Sequence, residues 1–206
     1  GAVLGELAKA GRDKATFVIS PAIASFGDWV EQLVAESTGK EGVGILPVVG
    51  ESLAAVDAYG SDRLFVHLRL EGDDAKGADL AAIEGAGYPV VRFDLRDVYD
   101  LGVQFFLWEL ATAVASYRLG INPFDQPNVE AAKVRAREMV TAYEENGSLP
   151  HQKSSPLTKK ALIDFLEQAG PSTYVALQVW AQPTSKRTAA LQELRTRIRD
   201  RYHVAT

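Results

Sequence analysis

The sequence predicts an α/β protein with a mainly parallel sheet. Short strand-like runs alternate with helix-like segments along most of the 206 residues, and strands separated by helices form βαβ units. Hydrophobic residues make up 47% of the chain and charged residues 24%, which is ordinary for a globular protein with a sizeable core. The length fits one large domain or two small ones.

The strand predictions rest on short apolar runs bounded by turn residues. The clearest run, Arg63 to Leu70, alternates in character along its length. Pro21 ends the first run, and Pro47 marks the second as a short extended piece. The predicted strands are 16–20, 45–49, 63–70, 89–95 and 174–181.

The helix predictions rest on apolar residues at three- and four-residue spacing and on capping residues. Ser25 is predicted to cap a helix over 26–36, since Asp28 follows three residues later. Gly120 is predicted to end a long apolar helix, and Pro127 to begin the next one. The predicted helices are 1–8, 26–36, 74–86, 99–119, 127–145, 157–169 and 184–201.

Composition excludes several kinds of site. The chain has no cysteine, which excludes disulfides, thiolate metal sites and a thiol nucleophile. The three histidines are widely spaced, so we expect no metal. The sequence has neither a P-loop nor the glycine fingerprint of a dinucleotide fold, so a nucleotide cofactor is not expected.

Charge and hydropathy restrict the partners. The net charge is −5 and no basic block is present, so we expect no nucleic-acid partner. No apolar run reaches transmembrane length and no signal-like segment opens the chain, so we expect no membrane partner. The absence of cysteine fits a reducing compartment, and we expect a cytoplasmic protein.

Glu36 is the most informative single residue, at the predicted end of the helix over 26–36. It continues the apolar stripe of that helix, because it follows Leu33 by three residues and Trp29 by seven. Carboxylates beside apolar surface are desolvated and accept protons more readily, which suits a catalytic base near neutral pH. The competing interpretation is a last-turn glutamate that turns out to solvent.

The stretch from Gly120 to Lys133 is the second unusual feature. Pro127 fits the first helical position, so Gln126 is predicted at the N-cap and Lys133 on the edge of the apolar stripe. The Lys133 side chain can reach a pocket at the helix start, or it can extend to water. The predicted stripe consists of Val129, Ala132, Ala136, Met139, Val140 and Tyr143.

Taken together, these segments resemble the second half of the phosphoglucose isomerase family. The resemblance is carried by Ser20-Pro21, Phe26-Gly27, Trp29, Glu31-Gln32-Leu33, Glu36-Ser37-Thr38-Gly39-Lys40 and the stretch from Asn122 to Lys133. The opening residues 7–14 and the later run 174–178 look most like the bacterial form that is fused to a transaldolase. The chain opens within a predicted helix without an initiating methionine and stops just after a charged helix, so both ends are expected to be cut from a longer polypeptide.

The resemblance implies a sugar-isomerase (SIS) fold, a flavodoxin-like αβα sandwich, as one domain over residues 1–206. It implies interconversion of glucose 6-phosphate and fructose 6-phosphate, a step of glycolysis and gluconeogenesis, without metal or redox cofactor. A sugar phosphate is then the substrate. The missing N-terminal half of the isomerase is the expected protein partner, and a homodimer is a further expectation.

The resemblance also implies roles for four residues. Glu36 matches the base that moves a proton between C1 and C2 through a cis-enediol. Gln32 matches a substrate-contacting glutamine, and Gln126 matches a glutamine near the sugar phosphate. Lys133 matches the lysine that assists ring opening.

Two departures from the family pattern limit these expectations. Arg63 falls where the ring-opening histidine is expected, and His67 is expected to be a half-exposed strand residue without a catalytic role. The serine- and threonine-rich loop that anchors the phosphate belongs to the missing half. We therefore expect the isolated chain to be inactive or nearly so, since isomerisation needs base and anchor in one pocket.

Two alternatives to an isomerase remain open. One is a non-catalytic sugar-phosphate-binding or regulatory SIS module; the other is a half whose large helices serve dimer or interdomain packing. Phe105, Phe106 and Trp108 are expected in the core, and the arginines of residues 195–201 on a solvated helix face. Ligands are expected at the loops after Ser20, Leu70 and Leu95, at the carboxyl ends of the strands.

Overall fold

A four-stranded, all-parallel sheet forms the centre of the protein, as a computed structural model describes it for residues 1–125, 127–150, 156, 158–170 and 172–206. The strand order is β2-β1-β3-β4, and helices cover both faces of the sheet. The predicted α/β class with its flavodoxin-like architecture is confirmed. The strands are β1 (Lys14–Ile19), β2 (Leu46–Val49), β3 (Arg63–Leu70) and β4 (Val90–Leu95).

Seven α-helices complete the described part of the chain. All seven helix predictions agree with these bounds to within about three residues at each end. The helix predicted over 157–169 is shorter than expected. The helices are α1 (Ala2–Lys9), α2 (Phe26–Thr38), α3 (Gly77–Gly85), α4 (Leu101–Leu119), α5 (Pro127–Asn146), α6 (Lys159–Leu166) and α7 (Ser185–Tyr202).

The larger apolar core lies between the sheet and the helices α1, α2 and α4. Phe17 of β1 packs on Trp108 of α4, with ring centroids 4.9 Å apart. Phe26 and Val30 of α2 are fully enclosed in the same layer. Each such side chain contributes about 1.5–3 kcal/mol when it is taken out of water. This layer therefore fixes α2 and α4 side by side on one face of the sheet.

The opposite face carries a smaller aromatic core and several buried charges. Tyr59, Phe65 and Tyr88 pack edge to face, with α3 closing the layer. Arg63 is fully buried beside them and donates to Glu51 at 3.0 Å and to Thr16 Oγ1 at 2.7 Å. Arg63 and Glu51 therefore form a buried ion pair with a structural role.

The basic run of α7 is only partly the solvated face that the sequence predicted: Arg197 and Arg201 are exposed, but Arg195 and Arg199 are not. Arg199 is 2% exposed; it donates to the Ser52 carbonyl and to Asp200, and lies 3.8 Å from Glu51. Arg195 is partly buried, and burial lowers its pKa from the usual value. The prediction failed for these two residues because helix periodicity alone does not reveal which face meets the rest of the fold.

Two local predictions are also wrong. Residues 174–181 form no strand; Tyr174 makes only an isolated parallel bridge with Ala205. Ser25 adopts helical dihedral angles and makes no side-chain cap, because a short 3-10 turn from Pro21 leads directly into α2.

The long helices leave apolar surface exposed. The prediction that Phe105 and Phe106 of α4 lie in the core is wrong, since they are 37% and 66% exposed, whereas Trp108 is buried as predicted. No residue of α5 is buried, and Val140 and Tyr143 of its predicted apolar stripe are exposed. A groove of about 300 Å³ between α1, β4 and α4 is lined mainly by aliphatic side chains, among them Val3, Leu107, Leu110 and Val114.

Across the described residues, we find no helix with both the length and the apolar character that a membrane crossing requires.

Replacing Arg199 with methionine is expected to lower the free energy of unfolding by about 3 kcal/mol. The change removes a donor from the Ser52 carbonyl and a cation from beside Glu51, which stays buried. Urea denaturation followed by circular dichroism measures the loss.

Arg197→Met is the matched control on the same helix. Arg197 is exposed, and among the residues that the structure describes it pairs only with Glu193, one turn earlier, so a loss within about 0.5 kcal/mol is expected. Equal losses in the two variants would contradict a stabilising role for the buried charge.

Candidate functional site

Glu36 lies in the last turn of α2 and is partly buried. Its Oε2 accepts a long hydrogen bond of 3.4 Å from Nε2 of Gln32, which is exposed one turn earlier. In the described part of the chain, Glu36 forms no ion pair with a basic residue. Glu36 is therefore a carboxylate with one weak local donor and a face left open to solvent.

The chain after Glu36 is held by a buried hydroxyl. Thr38 Oγ1 donates to the Val34 carbonyl at 2.7 Å and accepts from the Ile45 amide at 2.9 Å. Thr38 thereby ties the end of α2 to the residue before β2. The position of Glu36 relative to the sheet follows from this tie and from the packing of α2.

A tight turn over Lys40–Val43 follows the helix. The Val43 amide donates to the Lys40 carbonyl at 2.9 Å, and Glu41 and Gly42 both have positive φ angles, 53° and 79°. Two successive residues in this region are typical of a type I′ turn, in which glycine is favoured and glutamate is uncommon. The turn fixes the main chain of Lys40.

Lys40 joins α2 to the segment after α4. Its ammonium group donates to the Asn122 carbonyl at 2.7 Å, to the Asp125 carbonyl, and to Asp125 Oδ1 at 2.9 Å. The lysine is only 4% exposed. The two segments that the sequence singled out are thus brought into direct contact.

A second contact links the start of α5 to the same place. Asn128 Nδ2 donates to the Gly39 carbonyl at 3.1 Å. Gln126, between these contacts in sequence, lies outside the described residues. Lys133 is in the second turn of α5, is exposed, and forms no ion pair with any described residue.

These groups gather at the amino ends of the strands. A cavity of about 300 Å³ lies there beside the last turn of α2, lined among others by Asp13, Ala35, Gly39 and Leu46. The sequence instead predicted that ligands bind at the opposite edge of the sheet, at the carboxyl ends of the strands. At that edge a cavity of about 270 Å³ is present, but the segments with Glu36 and Lys133 do not contribute to its lining.

Neither Arg63 nor His67 is at the amino-edge site. Arg63 is enclosed on the far face of the sheet, where its guanidinium is occupied by Glu51 and Thr16. His67 is 5% exposed, so the expected half-exposed histidine is wrong; burial lowers its pKa. His67 lies in mid-strand on the far face of the sheet from Glu36, and the absence of a catalytic role for it stays a prediction.

Sequence reasoning missed Lys40 as part of the site. The residue was noted only as the end of the Glu36 motif. One signal was available: a lysine next to Gly39, four residues after the candidate base. Its partners are more than 80 residues away in the sequence, so spacing could not identify them.

Proteins of similar sequence have one description in common. A glucose-6-phosphate isomerase of Lactiplantibacillus plantarum is 32% identical over 151 residues, and those of Enterococcus faecalis and Streptococcus pyogenes are 29% identical. This chain is similar to glucose-6-phosphate isomerases. The matches cover 55% of this chain, which spans 34% of the length of each of these isomerases. No protein-family model matches the chain.

A solved structure supports the fold. The crystal structure of a hypothetical protein from Thermus thermophilus matches with a TM-score of 0.54 and 24% sequence identity. The match covers 66% of this chain and 44% of that protein. At this identity the likeness concerns the α/β fold alone, and the relation to isomerases rests on the sequence matches.

Replacing Thr38 with valine is expected to lower the free energy of unfolding by about 1–3 kcal/mol, because the buried Ile45 amide loses its acceptor. Valine has nearly the same shape, so little packing is lost. Ser37→Ala is the control, because Ser37 precedes Thr38 in the last turn of α2 and is only half-buried; a loss within about 0.5 kcal/mol is expected. Unfolding in urea compares them; a Thr38→Val protein as stable as the wild type would contradict the tie.

Proposed function

We propose that residues 1–206 are the base-carrying part of a glucose-6-phosphate isomerase. One observation carries the proposal: in a chain similar to these isomerases, the end of α2 with Glu36 is joined through Lys40 to residues 122–125. Both segments belong to the motifs by which the sequence resembles the family. The substrate of the complete enzyme is then a sugar phosphate.

The proposed chemistry requires a carboxylate that is free to take up a proton. Glu36 removes the proton from C2 of the open-chain aldose; the electron pair left behind forms the C1–C2 double bond while the C1 carbonyl π pair moves to O1, which takes up a proton to give a cis-enediol. Loss of the O2 proton and return of the carbon-bound proton from Glu36 to C1 then give the ketose, so one hydrogen has moved from C2 to C1 and one from O2 to O1. Lys40, the nearest lysine in sequence, directs its ammonium group to residues 122–125 and not to Glu36, so it forms no ion pair with the proposed base.

Three further residues complete the proposal through the resemblance. Gln32, which donates to Glu36, contacts the substrate. Gln126 lies near the sugar phosphate, and Lys133 assists ring opening by donating to the ring oxygen. The fusion to a transaldolase and the assignment of the chain to one domain stay predictions.

The apolar surface of α4 favours an additional structural role. Val103, Phe106, Leu110 and Tyr117 are all exposed on this helix, and they recur at three-, four- and seven-residue intervals along one side. An apolar stripe of this kind is typical of a face that packs against another protein surface. This role is compatible with an isomerase whose other half supplies the phosphate anchor, and it suits a purely structural half equally well.

Replacing Glu36 with glutamine in the full-length polypeptide that carries this sequence is expected to reduce isomerisation about 10²- to 10⁴-fold. Glutamine keeps the shape but cannot accept the proton, so substrate binding is expected to survive. A coupled assay for fructose 6-phosphate formation measures the rate, and deuterium exchange at C2 measures proton transfer. Persistent exchange at C2 would exclude Glu36 as the base.

Glu31→Gln is the matched control for this experiment. Glu31 is exposed on the same helix, five residues before Glu36, and is expected to be dispensable for isomerisation. A loss as large as that of Glu36→Gln would point to a general effect of charge on α2 rather than to a base.

The isolated 206-residue chain is expected to have no measurable isomerase activity, although it folds. The reason is that aldose–ketose isomerisation needs the base and the phosphate anchor in one pocket. The coupled assay, with circular dichroism to verify folding, tests this. Turnover like that of a complete isomerase would overturn the claim that an anchor is supplied from elsewhere.

A further inference from the structure

We propose that Lys40 is a positioning residue of this site. Its ammonium group holds residues 122–125, and through them the start of α5, against the end of α2 that carries Glu36. The proposal rests on the proposed isomerase function, because it explains how the end of α2 and the start of α5 are held in a fixed position relative to each other. Lys40 itself touches neither Glu36 nor, in this proposal, the sugar.

The hydrogen-bonding capacity of Lys40 is fully used on one segment. A lysine ammonium group has three protons, and the three acceptors here are the Asn122 carbonyl, the Asp125 carbonyl and the Asp125 carboxylate. The Asp125 carboxylate also neutralises the charge, which a buried lysine needs. No proton is left over for a substrate.

The main chain of Lys40 is fixed before the side chain reaches across. The turn Lys40–Val43 contains Glu41 at a φ of 53°, an unfavourable conformation for a residue other than glycine. Thr38 anchors the other side of the turn to Ile45. The Lys40 side chain therefore extends from a main chain whose conformation is fixed.

The segment that Lys40 holds also has a defined shape. Gly120 ends α4 with a φ of 78°, and the Ile121 amide donates back to the Ser116 carbonyl. Asn122 Oδ1 accepts from the Phe124 amide at 3.1 Å. A compact loop at the end of α4 thus presents two of its carbonyls to the lysine.

The placement of α5 depends on few contacts. No residue of α5 is buried, so apolar packing does not hold the helix against the rest of the described chain. The contacts at its start are those of Lys40 with Asp125 and of Asn128 with Gly39. Loss of Lys40 is therefore expected to move the start of α5, which carries Lys133, relative to Glu36.

Hydrogen exchange on the 206-residue chain tests the physical part of the proposal. In Lys40→Met, the amides of Ile121, Asn122, Phe124, Asp125 and Asn128 are expected to exchange at least about tenfold faster, since local opening is governed by the contacts that hold a segment. Lys14→Met is the matched control, because Lys14 is also buried and paired, with Asp13 and Asp62. It is expected to lower global stability but to leave the relative protection of these five amides unchanged.

Kinetics of the full-length polypeptide test the functional part. Lys40→Met is expected to reduce kcat about 10²-fold at a temperature at which circular dichroism finds it folded, because small misplacements of catalytic groups have effects of this size. Lys40→Arg, which keeps the charge and donors, is expected to recover most of the loss. Asp125→Ala is expected to be intermediate, and the double variant no worse than Lys40→Met, since both act through one contact.

The outcomes separate the two proposals. Unchanged exchange of these five amides in Lys40→Met, or full activity despite faster exchange, would overturn the role of Lys40 and leave Glu36 as the base. Failure of Lys40→Arg to restore activity in a folded protein would also overturn it. A wild-type polypeptide without isomerase activity would overturn the proposed function, and with it the catalytic consequence of the contact; hydrogen exchange would then still decide whether Lys40 holds the segment.

Discussion

The parallel direction of all four strands decides where the candidate site forms. A parallel connection must carry the chain back to the edge from which it started, so a helix that follows a strand ends near the amino ends of the sheet. α2 follows β1 and α4 follows β4, and the two helices pack side by side on the same face. The residues after both helices therefore meet at one edge, and Lys40 bridges them there.

Buried charges give this arrangement its specific geometry. The apolar layers hold the helices on the sheet, but contacts between apolar side chains have little directional preference. Lys40, Arg63 and Arg199 each donate hydrogen bonds to acceptors on distant segments. A buried cation without such acceptors would lower the stability of the fold. On the two faces of the sheet these cations connect chain segments that are far apart in sequence.

The elements were predictable where a local pattern was sufficient. β3 has its predicted bounds, and α4 and α5 differ by one or two residues, because side-chain periodicity and the residues Gly120 and Pro127 act locally. Residues 174–181 have strand-like composition but no strand partner along most of their length. Composition cannot supply a partner, since a strand is stabilised by pairing with its neighbour.

The sequence by itself determined the fold class, the position of Glu36 and Gln32 on one helix, and the chemistry these side chains offer. It also determined the resemblance to isomerases that the sequence matches support. Only the tertiary structure decided that the site lies at the amino edge of the sheet, that Arg63 is enclosed on the other face, and that Lys40 meets residues 122–125. The physical reason is that these contacts join residues between 12 and 85 positions apart, and their partners are chosen by strand order and helix packing.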